Sequence, residues 1–215
     1  MSSPLEKTDS PLVEKLGHAM NRIHVAMRAD SWDAFGANDL NPTQGQIALL
    51  LGRRSSGLRL SEIADELAVS SPTVSDSVAA LVEKGLVKKD KAKDDGRAVA
   101  VRLTAAGKRM IKRLDLIGGT IGSVISRLPH SEQVQLYKTL IRMVRELQLD
   151  GRIPISRMCV TCRYFRPNAH KDPKRPHHCE FVNVAFGDRT IRVDCPDHEP
   201  AEEHIANQNC KVFSG

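Results

Sequence analysis

The sequence predicts a mainly α chain of the α+β class, with a small irregular module after its last long helix. Three observations lead there. Between Leu60 and Thr104, two short helical patterns are followed by two strand patterns around a polar tip. Long amphipathic stripes flank that unit on both sides, and all five cysteines lie beyond Arg157. The organisation read from these shifts is a flexible tail over residues 1–10, a helical and hairpin domain over 11–150, and a cysteine-rich extension over 151–215.

Taken in order, residues 1–10 are polar, contain Pro4 and read as a loose tail. From Leu12 the apolar set Leu12, Leu16, Met20, Ile23 and Met27 keeps helical spacing. Trp32 and Phe35 are expected to anchor the following turn in the core, and His18 and His24 to be structural or solvent-facing. Asn41-Pro42-Thr43 opens a second helix, with Ile47, Leu49, Leu50 and Leu51 on its packing side. Arg53-Arg54 at its end suits the negative end of the helix dipole, or equally a phosphate. Ser61 is the N-cap candidate of a third helix carrying Ile63, Ala64, Leu67 and Ala68. Val69-Ser70-Ser71 interrupts it, and Pro72 suits the first position of a fourth helix because its missing N–H would have no partner there. That helix runs through Val74, Val78, Leu81 and Val82 to Gly85, a left-handed stop.

Two short helices across a tight break form a helix-turn-helix. Leu86-Val87 then opens a strand, Ala98–Leu103 is a second, and Lys88–Arg97 is a polar tip turning at Asp95-Gly96. Helix, helix, hairpin is a winged helix-turn-helix. Thr104 caps a helix expected to run through Ile111, Leu114, Ile117, Ile121, Val124 and Ile125, with a kink at Gly118-Gly119. Pro129 breaks it. Ser131-Glu132 starts a last helix carrying Leu136, Leu140, Ile141, Val144 and Leu147.

The helix pair, the EKGLV exit (Glu83 to Val87), the D-x-R wing (Asp95-Gly96-Arg97) and the LTAAG that follows (Leu103 to Gly107) resemble, in this order, the MarR family of bacterial transcription regulators. The resemblance covers about residues 10–150 and implies a homodimer on a pseudo-palindromic double-stranded DNA operator. The apolar faces of the first helix and of the two after the wing, left partly bare in a lone monomer, agree with an intertwined dimer. Its two heads would face half-sites about 34 Å apart. The groove-facing residues are expected to be Ser71, Thr73, Ser75 and Asp76, with Ser77 nearby. Asp76 departs from the basic or neutral group the family often carries there; it would accept from cytosine N4 or turn sideways to an arginine. Arg97 is expected in a narrow minor groove, with Asp95 holding its guanidinium as the D-x-R pairing implies. Lys88, Lys89, Lys91 and Lys93 are expected to supply phosphate contacts and a steep salt dependence.

Charge placement agrees. Arg53 to Arg113 carries 14 Lys/Arg against 8 Asp/Glu, so this region holds the whole net charge of +6. A basic wing and flanks point to a polyanion. No basic start leads into an apolar leader, and runs such as Leu116–Ser126 are too short and glycine-rich to span a bilayer. The expectation is a soluble, cytoplasmic protein with no membrane partner. No nucleophile–base pair, phosphate loop or carboxylate pair is visible, so an enzyme is not expected.

The last third carries a second signal. Cys159-x2-Cys162 is followed after sixteen residues by Cys179, and after fifteen more by Cys195, with Cys210 left over. Clustered cysteines in a cytoplasmic chain read as metal ligands rather than a disulfide framework. A zinc ribbon usually presents a second close pair; here the third and fourth ligands arrive singly, which suits a larger iron–sulfur cluster. The spacing also resembles that of high-potential iron–sulfur proteins, a CxxC, an aromatic stretch and two isolated cysteines. Tyr164, Phe165, Phe181 and Phe186 would shield such a cluster. A [4Fe–4S] cluster is favoured and Zn2+ is the alternative. His177, His178 and His198 are read as surface histidines, with substitute ligands or groups behind the ligands as the alternative, and Cys210 as a free thiol or substitute ligand.

The function expected from these readings is a dimeric DNA-binding regulator, a repressor, whose affinity follows the state of a four-cysteine metal centre sensing redox state, oxygen or nitric oxide. The alternative is a regulator answering a small aromatic effector bound in the dimer cleft, with structural zinc in the tail.

Overall fold

The computed structural model describes residues 11–54, 56–91, 99–114 and 119–214. The wing tip, with Lys93, Asp95, Gly96 and Arg97, lies outside them, as does the side chain of Lys91. The described chain is mainly helical with two small antiparallel sheets.

Helix α1, Leu12–Gly36, turns its Leu12, Leu16, Met20, Ile23 and Met27 outward at 48–70% exposure. Only its end enters a core, through Phe35; Trp32 is exposed, contrary to its expected role as an anchor. Helix α2, Pro42–Gly52, starts as the Asn-Pro signal predicts. Asn41 Oδ1 accepts from the Gln44 N–H at 2.9 Å, and Gln44 Oε1 accepts from the Asn41 N–H at 3.3 Å. Gly45 lies directly against the Phe35 ring, where any Cβ would collide, so α1 and α2 approach closely there.

Helix α3, Leu60–Leu67, begins ahead of Ser61: its N-cap is Arg59, whose N–H donates to the Glu62 carboxylate at 2.6 Å. Ala68 takes φ +51° and reverses the chain. Ser70 then caps helix α4, Ser71–Glu83, its Oγ accepting from the Thr73 N–H at 3.3 Å. Pro72 therefore sits one position later in the helix than expected. Gly85, at φ +68°, stops α4 as predicted.

Strands β1, Val87–Lys91, and β2, Val99–Leu103, pair antiparallel from Val87 opposite Leu103 to Lys91 opposite Val99. Leu58 extends this sheet by exchanging backbone hydrogen bonds with Val101 at 3.1 and 2.7 Å. Phe35, Ile47, Ile63, Val74, Val78, Leu81, Val101 and Met110 close one core beneath the helix-turn-helix.

Beyond the wing, one kinked helix was expected and two are found. Helix α5, Ala105–Arg113, is capped by Thr104, whose Oγ1 accepts from the Gly107 N–H at 3.1 Å; Leu114 leaves the helix at ψ 81°. Helix α6, Thr120–Ser126, starts anew after Gly119. Asp30 of α1 accepts from the Thr120 N–H and hydroxyl at 3.0 and 2.9 Å, a tertiary cap that local sequence does not reveal. Helix α7, His130–Leu149, leaves Leu136, Leu140, Met143 and Leu147 exposed.

After α7 the chain builds a module with structure of its own. Strands β3 (Phe165–Arg166), β4 (His177–Cys179) and β5 (Val184–Phe186) form a small antiparallel sheet. Helix α8, Glu203–Ser214, packs on α7. The sheet and α8 both refine the expected irregular extension. Met158, Val160, Cys162, Phe165, Ile191, Cys210 and Phe213 form its core together with Ile141 of α7, so this core crosses residue 150. Tyr137 OH donates to the Ile191 carbonyl at 2.7 Å, and Arg145 to Asn207 Oδ1 at 2.8 Å, clipping the module to α7. No helix among the described residues is long and apolar enough to cross a membrane.

Candidate metal centre and nucleic-acid interface

The four cysteines singled out by spacing come from four separate backbone positions and converge. Cys159 opens a short 3-10 turn, Cys159–Thr161, and Cys162 follows it, its N–H donating to the Cys159 carbonyl at 2.9 Å. This local turn is why a two-residue gap puts both thiols on one side. Cys179 ends β4, opposite Phe165 in the sheet register. Cys195 is held from behind, its N–H donating to the Arg157 carbonyl at 2.9 Å. All four line one cavity of about 170 Å³, against roughly 15 Å³ needed for a single water.

The walls between the thiols are apolar: Tyr164, Phe165, Phe181, Val184 and Phe186 contribute to them. This includes every aromatic residue that the sequence placed around the cysteines. Tyr164 and Phe181 pack with ring centroids 5.4 Å apart, and Phe165 and Phe186 at 5.9 Å. Arg192, which the sequence reading did not single out, donates twice toward sulfur. Its N–H reaches Cys159 Sγ at 3.2 Å, and its Nη1 reaches Cys195 Sγ at 3.7 Å. Burial pushes the Cys159 thiol up to about 11; the Arg192 N–H opposes that rise, and the nearby Cys195, Cys162 and Cys179 add to it.

The donor set can be tested against both candidate groups. Four thiolates around a single zinc ion lie about 2.3 Å from it. Among the described residues, no three His, Cys, Asp or Glu side chains gather closely enough to hold one ion. The four cysteines instead line one largely apolar space, which Tyr164, Phe165 and Phe186 help to wall. None of the five cysteines is in a disulfide. Cys210 is buried on α8 in the module core and is not in the cavity wall, so it is not placed as a substitute ligand.

The histidines behave differently from their reading as surface groups. His177 is buried at 1% exposure. Its Nδ1 accepts from the Asn168 N–H at 3.2 Å, so Nε2 carries the proton and donates to Asp188 at 2.8 Å. Burial lowers its pKa, with Asp188 opposing. His177 packs on Phe165, Phe186 and Phe213, and is a core group behind the cysteines. His198 is half-buried with Nε2 3.1 Å from Thr161 Oγ1, and His178 stands 3.1 Å from His170.

On the helix-turn-helix, Ser71, Thr73, Ser75 and Asp76 are exposed along the start of α4. Ser77 is not: at 7% exposure it faces the core beside Val78, because position 77 lies one helical turn after the buried Val74. It is removed from the candidate contacts. Lys88 and Lys89 are exposed on β1, and Lys88 pairs with Asp90 at 2.8 Å, which diminishes the charge it presents.

Arg54 is the largest departure. It follows α2, yet its side chain is only 8% exposed and turns to two carboxylates rather than standing free at the helix end. Its Nη2 forks onto Glu66 of α3 at 2.6 and 2.8 Å, and its Nη1 onto Asp194 at 2.9 and 3.1 Å. Arg157 donates to the same Asp194 at 2.7 and 2.9 Å. Burial alone would raise the Asp194 carboxyl, but Arg157 and Arg54 outweigh it and hold it below the usual carboxylate range. No local pattern could have paired residues 140 positions apart.

Comparison with solved structures places the fold. The S. aureus MepR–DNA complex is 22% identical, covering 61% of this chain and 97% of that chain, with a TM-score of 0.52. CouR from Rhodococcus jostii, bound to p-coumaroyl-CoA, is 17% identical, covering 68% and 97%, at 0.51. A MarR transcriptional regulator from Methanosarcina mazei is 19% identical, covering 62% and 96%, at 0.53. At such identities the likeness establishes the fold alone. No curated protein matches the chain in sequence. Residues 38–98, the segment holding the helix-turn-helix and the first wing strand, match the model of the MarR family.

Proposed function

We propose that this chain is a dimeric DNA-binding transcription regulator, a repressor, whose affinity is set by a [4Fe–4S] cluster held by Cys159, Cys162, Cys179 and Cys195. The observation that carries the reading is the single apolar cavity lined by all four thiols. When bound, such a cluster supplies one-electron chemistry and reactivity toward oxygen or nitric oxide. The chain's own residues do the remainder. Tyr164, Phe165 and Phe186 keep water from the thiols, and Arg192 directs two donors at them.

DNA as partner is supported by the family match over residues 38–98 and by the exposed start of α4. MepR, of the same fold, is solved on DNA. In this reading Ser71, Thr73, Ser75 and Asp76 face the major groove, Lys88, Lys89, Lys91 and Lys93 meet phosphate, and Arg97 enters the minor groove. A second copy of the chain is supported by the exposed stripes of α1 and α7. Each such side chain contributes about 1.5–3 kcal/mol when fully covered.

The test is iron, sulfide and zinc content on protein purified without air, with a visible spectrum. The expected result is a brown protein with about four iron and four sulfide per chain and absorbance near ~400 nm. Colourless protein with stoichiometric zinc would overturn the cluster and leave a structural zinc tail, with a small aromatic effector as the signal.

A further inference from the structure

Among the described residues, Arg54 joins the loop of the fourth cysteine to the reading head by hydrogen bonds on both sides. Asp194 immediately precedes Cys195, so any movement of that thiol's backbone carries the Asp194 carboxylate with it. The carboxylate is gripped by Arg54, whose other fork holds Glu66 on α3. Helix α3 packs on α4, the helix expected in the major groove. Four hydrogen bonds at 2.6–3.1 Å thus join the loop of the fourth cysteine to the first helix of the helix-turn-helix.

We propose that Arg54 is the positioning residue that couples the cysteine centre to DNA binding: its guanidinium bridges Asp194, beside Cys195, to Glu66 on α3. This rests on the function proposed above and deepens its regulation. Three features favour Arg54 over a merely structural ion pair. Its side chain is only 8% exposed and Asp194 20%, so that contact is less screened by salt than a surface pair. Its planar fork engages both carboxylates at once, which fixes direction as well as distance and which lysine cannot reproduce. Asp194 is also shared with Arg157, whose backbone carbonyl holds the Cys195 N–H, so the carboxylate answers to the position of that cysteine from two sides. The exposed Arg53, 3.9 Å from Asp194, is a weaker companion.

The experiment compares DNA affinity of the full chain in two states, as purified without air and after removal of the centre with ferricyanide and EDTA. The probe is a 30-base-pair duplex selected from a random pool on the anaerobic protein. Wild-type affinity is expected to differ between states by tenfold or more. In Arg54→Lys, Asp194→Asn and Glu66→Gln that ratio is expected to fall below threefold, with iron and sulfide content unchanged. Glu66→Gln is decisive because Glu66 lies on α3, outside the cysteine module, so loss of the ratio there with iron retained cannot come from a damaged metal site. Combining Arg54→Lys with Asp194→Asn should cost no more coupling than either alone. If all three single variants keep the wild-type ratio, the bridge is overturned while the proposed function stands. If Arg54→Lys and Asp194→Asn lose iron while Glu66→Gln keeps the ratio, Arg54 only builds the cysteine loop and the proposal fails. A wild-type ratio of one overturns the proposed regulation, and the bridge with it.

Discussion

The winged-helix head and the cysteine module stand side by side on one chain and are built on opposite plans. The head buries aliphatic side chains at periodic positions: Ile47, Ile63, Val74, Val78, Leu81 and Val101 are each completely buried. The module has strands of two or three residues and fills its core with Phe165, Phe213, His177 and Met158 around a cavity walled by thiols. A core of the first kind supports itself. One of the second kind gathers thiols whose ligation, in the function proposed, would contribute to folding. In the proposed regulator the rigid half would present a fixed surface and the dependent half would answer a signal.

The sharpest way to break this contrast is to remove the ligands. Replacing Cys159 and Cys179 by serine should abolish iron binding and lower the module's protection from hydrogen exchange by a hundredfold or more, equivalent to about 2.7 kcal/mol. Amides of Ile63 and Leu81 should keep theirs. Exchange loss spreading evenly into the head would show that the two halves are not separate stability units.

Leu81→Ala should do the reverse. A fully buried leucine costs about 2–5 kcal/mol when truncated, read as a fall in the head's denaturation midpoint with unchanged iron content. Arg97→Ala, at the wing tip outside the described residues, should weaken binding about tenfold, or ~1.4 kcal/mol, measured by fluorescence anisotropy on the selected duplex. Lys89→Ala should lower the slope of log affinity against log salt by about one. Lys88→Ala should do less, because Lys88 already pairs with Asp90.

Legibility in the sequence followed the same division. Several of the head's helix ends could be read because they are announced locally: Asn41-Pro42, Gly85 and Thr104 are short-range signals, whereas Ser61 is not the cap of α3 and Pro72 is not the first residue of α4. Errors there came where tertiary contacts overrode local preference. Trp32 had no core to enter, and Asp30 restarted a helix after Gly119 that the pattern would have carried through. In the module, the cysteines were legible because their chemistry is rare, and the aromatics around them because they cluster. The buried role of His177 was not, since it depends on Asp188 and Asn168 being brought to it by the fold. Helix α8 went unread because no Ser, Thr, Asp or Asn stands immediately before its first residue, Glu203, to set it apart from the polar segment before it. Arg54 was seen only as a helix-end charge, because its two carboxylates lie 12 and 140 positions away.

The central claim, that the state of the cysteine centre governs DNA binding, is tested most directly by one protein and one duplex. Wild-type protein purified without air is titrated against the selected operator, stripped of its iron, and titrated again at the same salt concentration. The account predicts dissociation constants differing by at least about tenfold, or ~1.4 kcal/mol, and recovery of the first value when cluster is rebuilt with iron and sulfide. Equal constants before and after stripping, with Cys159, Cys162, Cys179 and Cys195 shown to have held the iron, would contradict it.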